Sequence, residues 1–425
     1  MPSRITSRPW LLFLAVRRTV DFHRTALAGR ARYYASLVGA LFAVVSTLFT
    51  PVTFSIAAIV GVASLAFSVA CLIPEWSGAR RYRIRLTRVP NPRFPRLRSD
   101  GRTVRLPSEY AVESEVAVAW PDIDAAFMTT EATCSWSRIR KRLSPRISRY
   151  AYDILRIKTA GKPVYNGKVI RQNADLTADL LRENGDLELS GTDYFSLLCS
   201  NYMTNFELRD ALSDIVVLRG VELTADQKNR LIGLAESELA NVIGVSTIAL
   251  TTDGRLVLVG QGGLAQSSAS LWAPSGSGSM DLRDIRVLKS GSRRLRDVVA
   301  AAMERELVEE SHVTPRDIEW TEVLGYFRWL TKGGKPEYVG VTRLRLSSED
   351  FVNRRVRITE TPFVDSILAS FEIDLDLLAA NPDRPTELLR KFRPHTSMPL
   401  FMCVRALGHR LRADPDLRER LARRG

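Results

Sequence analysis

The sequence predicts a membrane-anchored α/β protein: a two-helix transmembrane hairpin near the N-terminus, followed by a cytoplasmic folded part. Three observations carry this. Residues 33–74 are 42 consecutive residues without a charge, broken near the middle by Pro51. At about 20 residues per crossing, that is length for two helices, near residues 34–50 and 53–73. Arginine crowds both flanks: residues 1–32 carry seven Arg against one Asp, and residues 75–105 ten Arg against Glu75 and Asp100. The 425-residue chain has a formal net charge of +14, all of it in those two flanks, so residues 106–425 balance at zero. From Asn241 onward, strand, turn and helix patterns alternate.

The placement of charge excludes some partners. A nucleic-acid binder shows its basic excess on the folded domain, whereas here it brackets an oily span and points to lipid. Arginine on both flanks puts both termini in the cytoplasm by the positive-inside rule. Within residues 1–32, Trp10 to Arg32 mixes apolar residues with arginines, as an interfacial helix does. Residues 75–106 form a basic linker too rich in proline for a helix. Gly39-x-x-x-Ala43 and Ala57-x-x-x-Gly61 permit close helix contact within a hairpin or between chains, so a homo-oligomer is expected. No ionisable group interrupts the span, which excludes a proton relay. The four cysteines are scattered and the four histidines lie far apart, which argues against disulfides and zinc.

Residues 107–240 read as an α+β region without a catalytic constellation. Tyr110–Ala119 is expected as a strand, Trp136–Leu155 as a basic helix, and Tyr165-Asn166-Gly167 as a turn between strands. Leu187–Phe195 runs from a strand into a helix, with Thr192 as N-cap. Residues 241–350 are patterned more sharply. Val242–Thr252 and Arg255–Gln261 flank Asp253-Gly254, a hairpin signal. Trp320–Leu330 and Tyr338–Leu346 flank Gly333-Gly334. Residues 351–425 are expected to be a mainly helical extension.

The most informative stretch is Gly291–Val313. At helical spacing Leu295, Val298, Val299 and Ala302 make one apolar stripe. Glu306, Glu309 and Glu310 continue that stripe, so three carboxylates are expected to point inward. Repulsion and desolvation make this costly unless a cation sits among them. Arg305, four before Glu309, is placed to hold one carboxylate. A hard, oxygen-seeking ion such as Mg²⁺ or Mn²⁺ suits the set.

At this point the residues resemble the Nudix box: Gly, five residues, Glu, seven residues, Arg-Glu-aliphatic-x-Glu-Glu-x-Gly-aliphatic. Gly291, Asp297, Arg305, Glu306, Leu307, Glu309, Glu310, His312 and Val313 stand at that spacing. Asp297 replaces Glu, and His312 replaces the closing Gly. Leu271–Gly278 looks like the Trp-x-x-Pro-Gly-Gly turn before the box, although Ser279–Ser290 then intervene. Either the loop over the site is enlarged, or Gly291 is not the true box glycine. The resemblance covers about residues 240–350 and implies a Nudix-like α/β/α sandwich. It implies Glu306, Glu309 and Glu310 as metal ligands, with Arg305, Glu309 and Glu310 catalytic in the hydrolase case. Glu337 and Glu360 are candidates for a further acidic residue. Trp272, Gly276, Gly278 and Arg328 are candidates for nucleotide contact, with Phe327 and Trp329 beside Arg328.

The whole arrangement also resembles the membrane effectors of bacterial cyclic-oligonucleotide anti-phage systems (CBASS), which are associated with a CD-NTase nucleotidyltransferase. That resemblance implies a two-pass protein of the bacterial inner membrane. Its Nudix-like domain would sense a nucleotide, and the hairpins would then disrupt the bilayer. The alternative is a membrane-tethered, Mg-dependent hydrolase of nucleoside diphosphate-linked substrates. His312 and the enlarged loop favour the sensor, whereas the intact glutamate trio favours the hydrolase.

Overall fold

The computed structural model describes residues 84–422, except 91, 98–100, 160–163, 165, 262–270, 286–292, 312, 353–363 and 385–388. In chain order its strands begin with β1 (Ile84–Arg88), β2 (Arg102–Arg105), β3 (Val116–Ala119), β4 (Thr133–Ser137) and β5 (Lys168–Gln172). Next come β6 (Asp186–Asp193), β7 (Phe206–Asp210), β8 (Val216–Arg219), β9 (Gly244–Leu250) and β10 (Arg255–Gln261). Then follow β11 (Trp272–Ala273), β12 (Gly276–Ser279), β13 (Ile318–Trp329), β14 (Lys335–Leu344) and β15 (Val364–Glu372).

Two compact units emerge. Among the described residues the smaller comprises Ile84–Arg88, Phe206–Arg219 and those of Leu143–Asn166. Its sheet has the order β1-β7-β8, with Leu86, Leu208 and Leu218 in one cross-strand row. Ile154 and Leu155, on the helix Ala151–Lys158, are fully buried.

The larger unit comprises Val89–Arg142, Gly167–Asn205 and Gly220–Gly425. Its main sheet runs β11-β10-β9-β14-β13-β3-β2, with β12 also on β9 and β15 also on β10. The β9–β14 pair is parallel, while the other pairs of this sheet are antiparallel. Side chains alternate across the strands, and the two faces take different helices. Val245, Tyr338 and Tyr326 form a row on one face and pack against Leu295, Val298, Val299, Ala302 and Met303 of the helix Leu295–Glu310. Ile248, Leu250, Phe327 and Val339 lie on the other face, under Leu400, Val404 and Leu407 of the helix Met398–Ala413. A second sheet, β4-β6-β5, borders the first face, where the Ile170 amide donates to Met280 and the Ile243 amide to Ile170.

Several local expectations are revised. The strand expected from Tyr110 begins only at Val116, because Tyr110 closes a turn by donating its amide to the Pro107 carbonyl. The basic stretch expected as one helix opens with β4, and helix resumes at Pro145–Ser148 and Ala151–Lys158. Pro145 fixes where helix resumes, since proline disfavours helical backbone at the residue before it and Ser144 is extended. Asp193, not Thr192, caps the helix Tyr194–Cys199, accepting from the Ser196 amide at 2.9 Å. The C-terminal extension contributes β15 as well as helices.

The membrane-anchored fold and the two-pass inner-membrane location are also corrected. Among the described residues no helix is long and apolar enough to cross a membrane. What the structure shows is a mixed α/β chain. The expected hairpin at residues 33–74, and the basic segments that bracket it up to Arg83, lie outside the described residues.

Candidate functional site: an acidic helix end closed by arginine

The helix Leu295–Glu310 ends against strand β12, and two glycines make that approach possible. A Cβ on Gly276 would stand 2.4 Å from the Leu307 amide nitrogen and 2.5 Å from its Cα. On Gly278 it would stand 2.3 Å from the Glu306 carboxyl carbon. The Gly-Ser-Gly-Ser sequence of β12 therefore lets the last turns of the helix lie on the sheet edge. Gly276 and Gly278 were candidates to contact a nucleotide, but their space is filled by the helix itself.

Arg305 organises the acidic residues. Its Nε and Nη2 donate to the two carboxylate oxygens of Asp284 at 2.8 and 3.0 Å. Its Nη1 reaches Glu306 at 2.8 Å and Glu309 at 3.0 Å, and Nη2 also donates to the Ser279 carbonyl at 3.0 Å. A guanidinium has five N–H donors, and these five bonds account for all of them. Burial opposes the charge on Arg305, yet the Glu306 and Asp284 carboxylates hold its pKa well above the ordinary value. Burial likewise pushes the Glu306 carboxyl up to about 7, against the pull of Arg305.

The other two glutamates also have protein partners. Glu309 takes Arg305 on one oxygen and Arg283 on the other, the latter at 2.7 Å. Glu310 accepts the Ser277 amide at 2.8 Å. Of the three, Glu306 alone is buried, so the trio expected to point inward is split. Asp281, although desolvated, is held below the usual carboxylate range by Arg283 and Arg305.

These contacts test the expected Mg²⁺ or Mn²⁺. Arg305 takes both oxygens of Asp284 and one of Glu306, and Arg305 and Arg283 share the two of Glu309, which occupies the oxygens and the direction of approach that a hard cation needs. In this arrangement the donor set does not fit a divalent ion. Among the described residues no group of three or more His, Cys, Asp or Glu side chains is set to hold a metal.

The remaining candidates fall elsewhere. Trp272 packs on Phe371 and Phe392, with ring centroids 5.6 and 5.3 Å away. Arg328 is buried, donating to Asp175 at 3.0 Å and to the Ile232 and Gly334 carbonyls. Phe327 and Trp329 belong to the core on the opposite face from the acidic helix. Glu337 shares that opposite face, one residue out of step with Tyr338, and is paired there with Lys335. Asp297 sits in the first turn of the helix, bound to Arg294 at 2.7 Å. Gly291, His312 and Glu360 lie outside the described residues. Sequence reasoning missed Asp281, Arg283 and Asp284, which sit in the stretch read only as extra loop. The signal was present: Asp281-x-x-Asp284 closes its own turn, with the Asp281 amide donating to Asp284 at 2.9 Å.

No family model matches the chain, and no curated protein matches it. Solved structures give low similarities. One is DR0079 from Deinococcus radiodurans, 14% identical, covering 40% of this chain and 96% of that one at a TM-score of 0.23. Another is Tm1382, a proposed Nudix hydrolase, 14% identical, covering 33% of this chain and 62% of that one at a TM-score of 0.21. Similarities at this level carry no assignment of function.

Proposed function

We propose that residues 241–350 form a Nudix-like domain that binds a phosphate-bearing nucleotide as a signal and does not hydrolyse it. The observation that carries this is Arg305, whose five donors are all spent on the acidic cluster. Nudix-type hydrolysis depends on carboxylates free to hold divalent ions on a diphosphate. Here an internal cation takes that electrostatic role, so the cluster is compensated by the fold itself.

Arg283 is the part of the cluster a ligand can reach. Its side chain is 55% exposed, against 15% for Arg305. A phosphate group competes with Glu309 and Asp281 for that guanidinium, and Arg–phosphate pairing favours the exchange. The resemblance of the whole sequence to the cyclic-oligonucleotide effectors makes a cyclic oligonucleotide of the kind made by a CD-NTase the first ligand to try.

The test uses the full chain with Mg²⁺ and, separately, with EDTA. Binding is followed by calorimetry and products by ion-exchange chromatography, for cyclic oligonucleotides, ADP-ribose and a dinucleoside polyphosphate. The expected result is saturable binding of a cyclic oligonucleotide, indifferent to EDTA and weakened about 10-fold by Arg283→Ala, with no product over hours. Steady turnover abolished by Glu310→Gln would establish the hydrolase instead.

A further inference from the structure

A second site stands apart from the acidic cluster, on the β5–β6 pair. Arg171 of β5 is 4% exposed, and its hydrogen-bond partners are neutral: Asn173 Oδ1 at 2.7 Å and the carbonyls of Leu234 and Ser237. Its Nε has no hydrogen-bond partner among the described residues. No carboxylate lies within ion-pair distance of it among those residues. A buried guanidinium is normally neutralised by a carboxylate, because desolvating an unpaired charge is expensive.

The strand register adds a second unsatisfied group. Arg171 pairs with Ser190, and Val169 pairs with Thr192. Cross-strand partners share a face, so Arg171, Ser190 and Thr192 face the same way, with Thr192 diagonal to Arg171. Thr192 is 2% exposed, and its Oγ1 also has no hydrogen-bond partner among the described residues. A third group is cationic. The Lys141 amide donates to Gly191 at 3.1 Å, which holds the chain beside this hairpin. Burial and then the charge of Arg171 depress the Lys141 ammonium pKa, so the two cations lie within electrostatic reach. Lys141 is half-buried, which leaves this side open to solvent. The acidic groups that act on the pair are Glu188, which is exposed and bonded to Asn173, and Glu238.

We propose that Arg171, Lys141 and Thr192 form an anion site that takes a tetrahedral phosphate group. The guanidinium supplies Nε–H and its remaining Nη1–H, the hydroxyl supplies one donor, and the ammonium supplies charge at the open side. Holding the 234–237 loop explains the carbonyl contacts of Arg171 but leaves the surplus charge and both orphaned atoms unexplained. An oxyanion satisfies all three.

The test titrates inorganic phosphate into the full chain by calorimetry, in chloride buffer at constant ionic strength, with AMP as a second arm. The expected result is one saturable site, weakened about 10-fold or more by Thr192→Val and by Lys141→Gln, as befits loss of a charge-assisted contact. Thr192→Val removes only the unpartnered hydroxyl at constant shape, so melting in phosphate-free buffer should not fall. Arg140→Gln, which alters an exposed neighbour already paired with Asp193, should leave the affinity unchanged. Tighter binding of AMP than of phosphate assigns the site to a nucleotide phosphate, and the reverse assigns it to the free ion. Either supports the site. Absence of saturable binding, or wild-type affinity in both Thr192→Val and Lys141→Gln, overturns it.

Discussion

Arg305→Ala should destabilise the larger unit by about 3–5 kcal/mol, the usual cost of removing one partner from a buried ion pair. The variant leaves Asp284, Glu306 and Glu309 facing one another, with Arg283 the remaining arginine paired to the set among the described residues. Asp284 and Glu306 are buried, so water cannot replace the guanidinium cheaply. The loss should depend on pH. Burial already raises the Glu306 carboxyl to about 7 against the pull of Arg305, and without that guanidinium it rises further. Folding then favours the protonated form of Glu306, so stability is retained at low pH and lost as pH rises through its folded value. Urea unfolding at pH 5 and pH 8 checks this: the deficit should be clearly larger at pH 8. Equal deficits at both would mean that packing, and not charge, explains the loss.

Gly276→Ala should cost about 1–3 kcal/mol, at the upper end for overpacking. The new methyl would meet the backbone of Leu307, with its nitrogen and Cα both at 2.5 Å or less. A flexible side chain could swing aside, but a helix backbone can retreat only by lifting the whole turn that carries Glu306 and Glu310. Arg305 and Ser277 would then lose their partners together. A useful contrast is Gly191→Ala, where the nearest atom is a Trp136 ring carbon at 3.6 Å, an ordinary contact. Thermal unfolding of both variants should show a clear fall for Gly276→Ala and little change for Gly191→Ala.

Local chemistry was legible in the sequence, while assembly over distance was not. The apolar stripe of the helix Leu295–Glu310 could be read because burial of one face requires helical spacing. Leu295, Val298, Val299 and Ala302 are all buried. The next step, that three glutamates extend that face, failed for a geometric reason. Only Glu306 is buried; Glu310 sits half-exposed on the Ser277 amide of β12, and Glu309 reaches Arg283. Nothing in the helix alone could show that Asp284, twenty-one residues before Arg305, would take two of its donors. The glycines could be recognised as special but not told apart in purpose, since close approach to a helix and close approach to a phosphate both demand a missing side chain. Trp272 and Arg328 carry the same ambiguity: an aromatic ring and a guanidinium serve a core and a buried polar network as well as a ligand. The joining of β2 and β3 to β13 is a pairing over some 200 residues, which no local pattern encodes.

The most direct measurement is a Mn²⁺ titration of the full chain at neutral pH, read as the free-ion signal by electron paramagnetic resonance. With the acidic cluster held by Arg305 and Arg283, the free signal should rise in proportion to added Mn²⁺, with no stoichiometric uptake. Uptake of one or more ions per chain at micromolar concentration, lost in Glu309→Gln, would contradict a cluster closed by arginine.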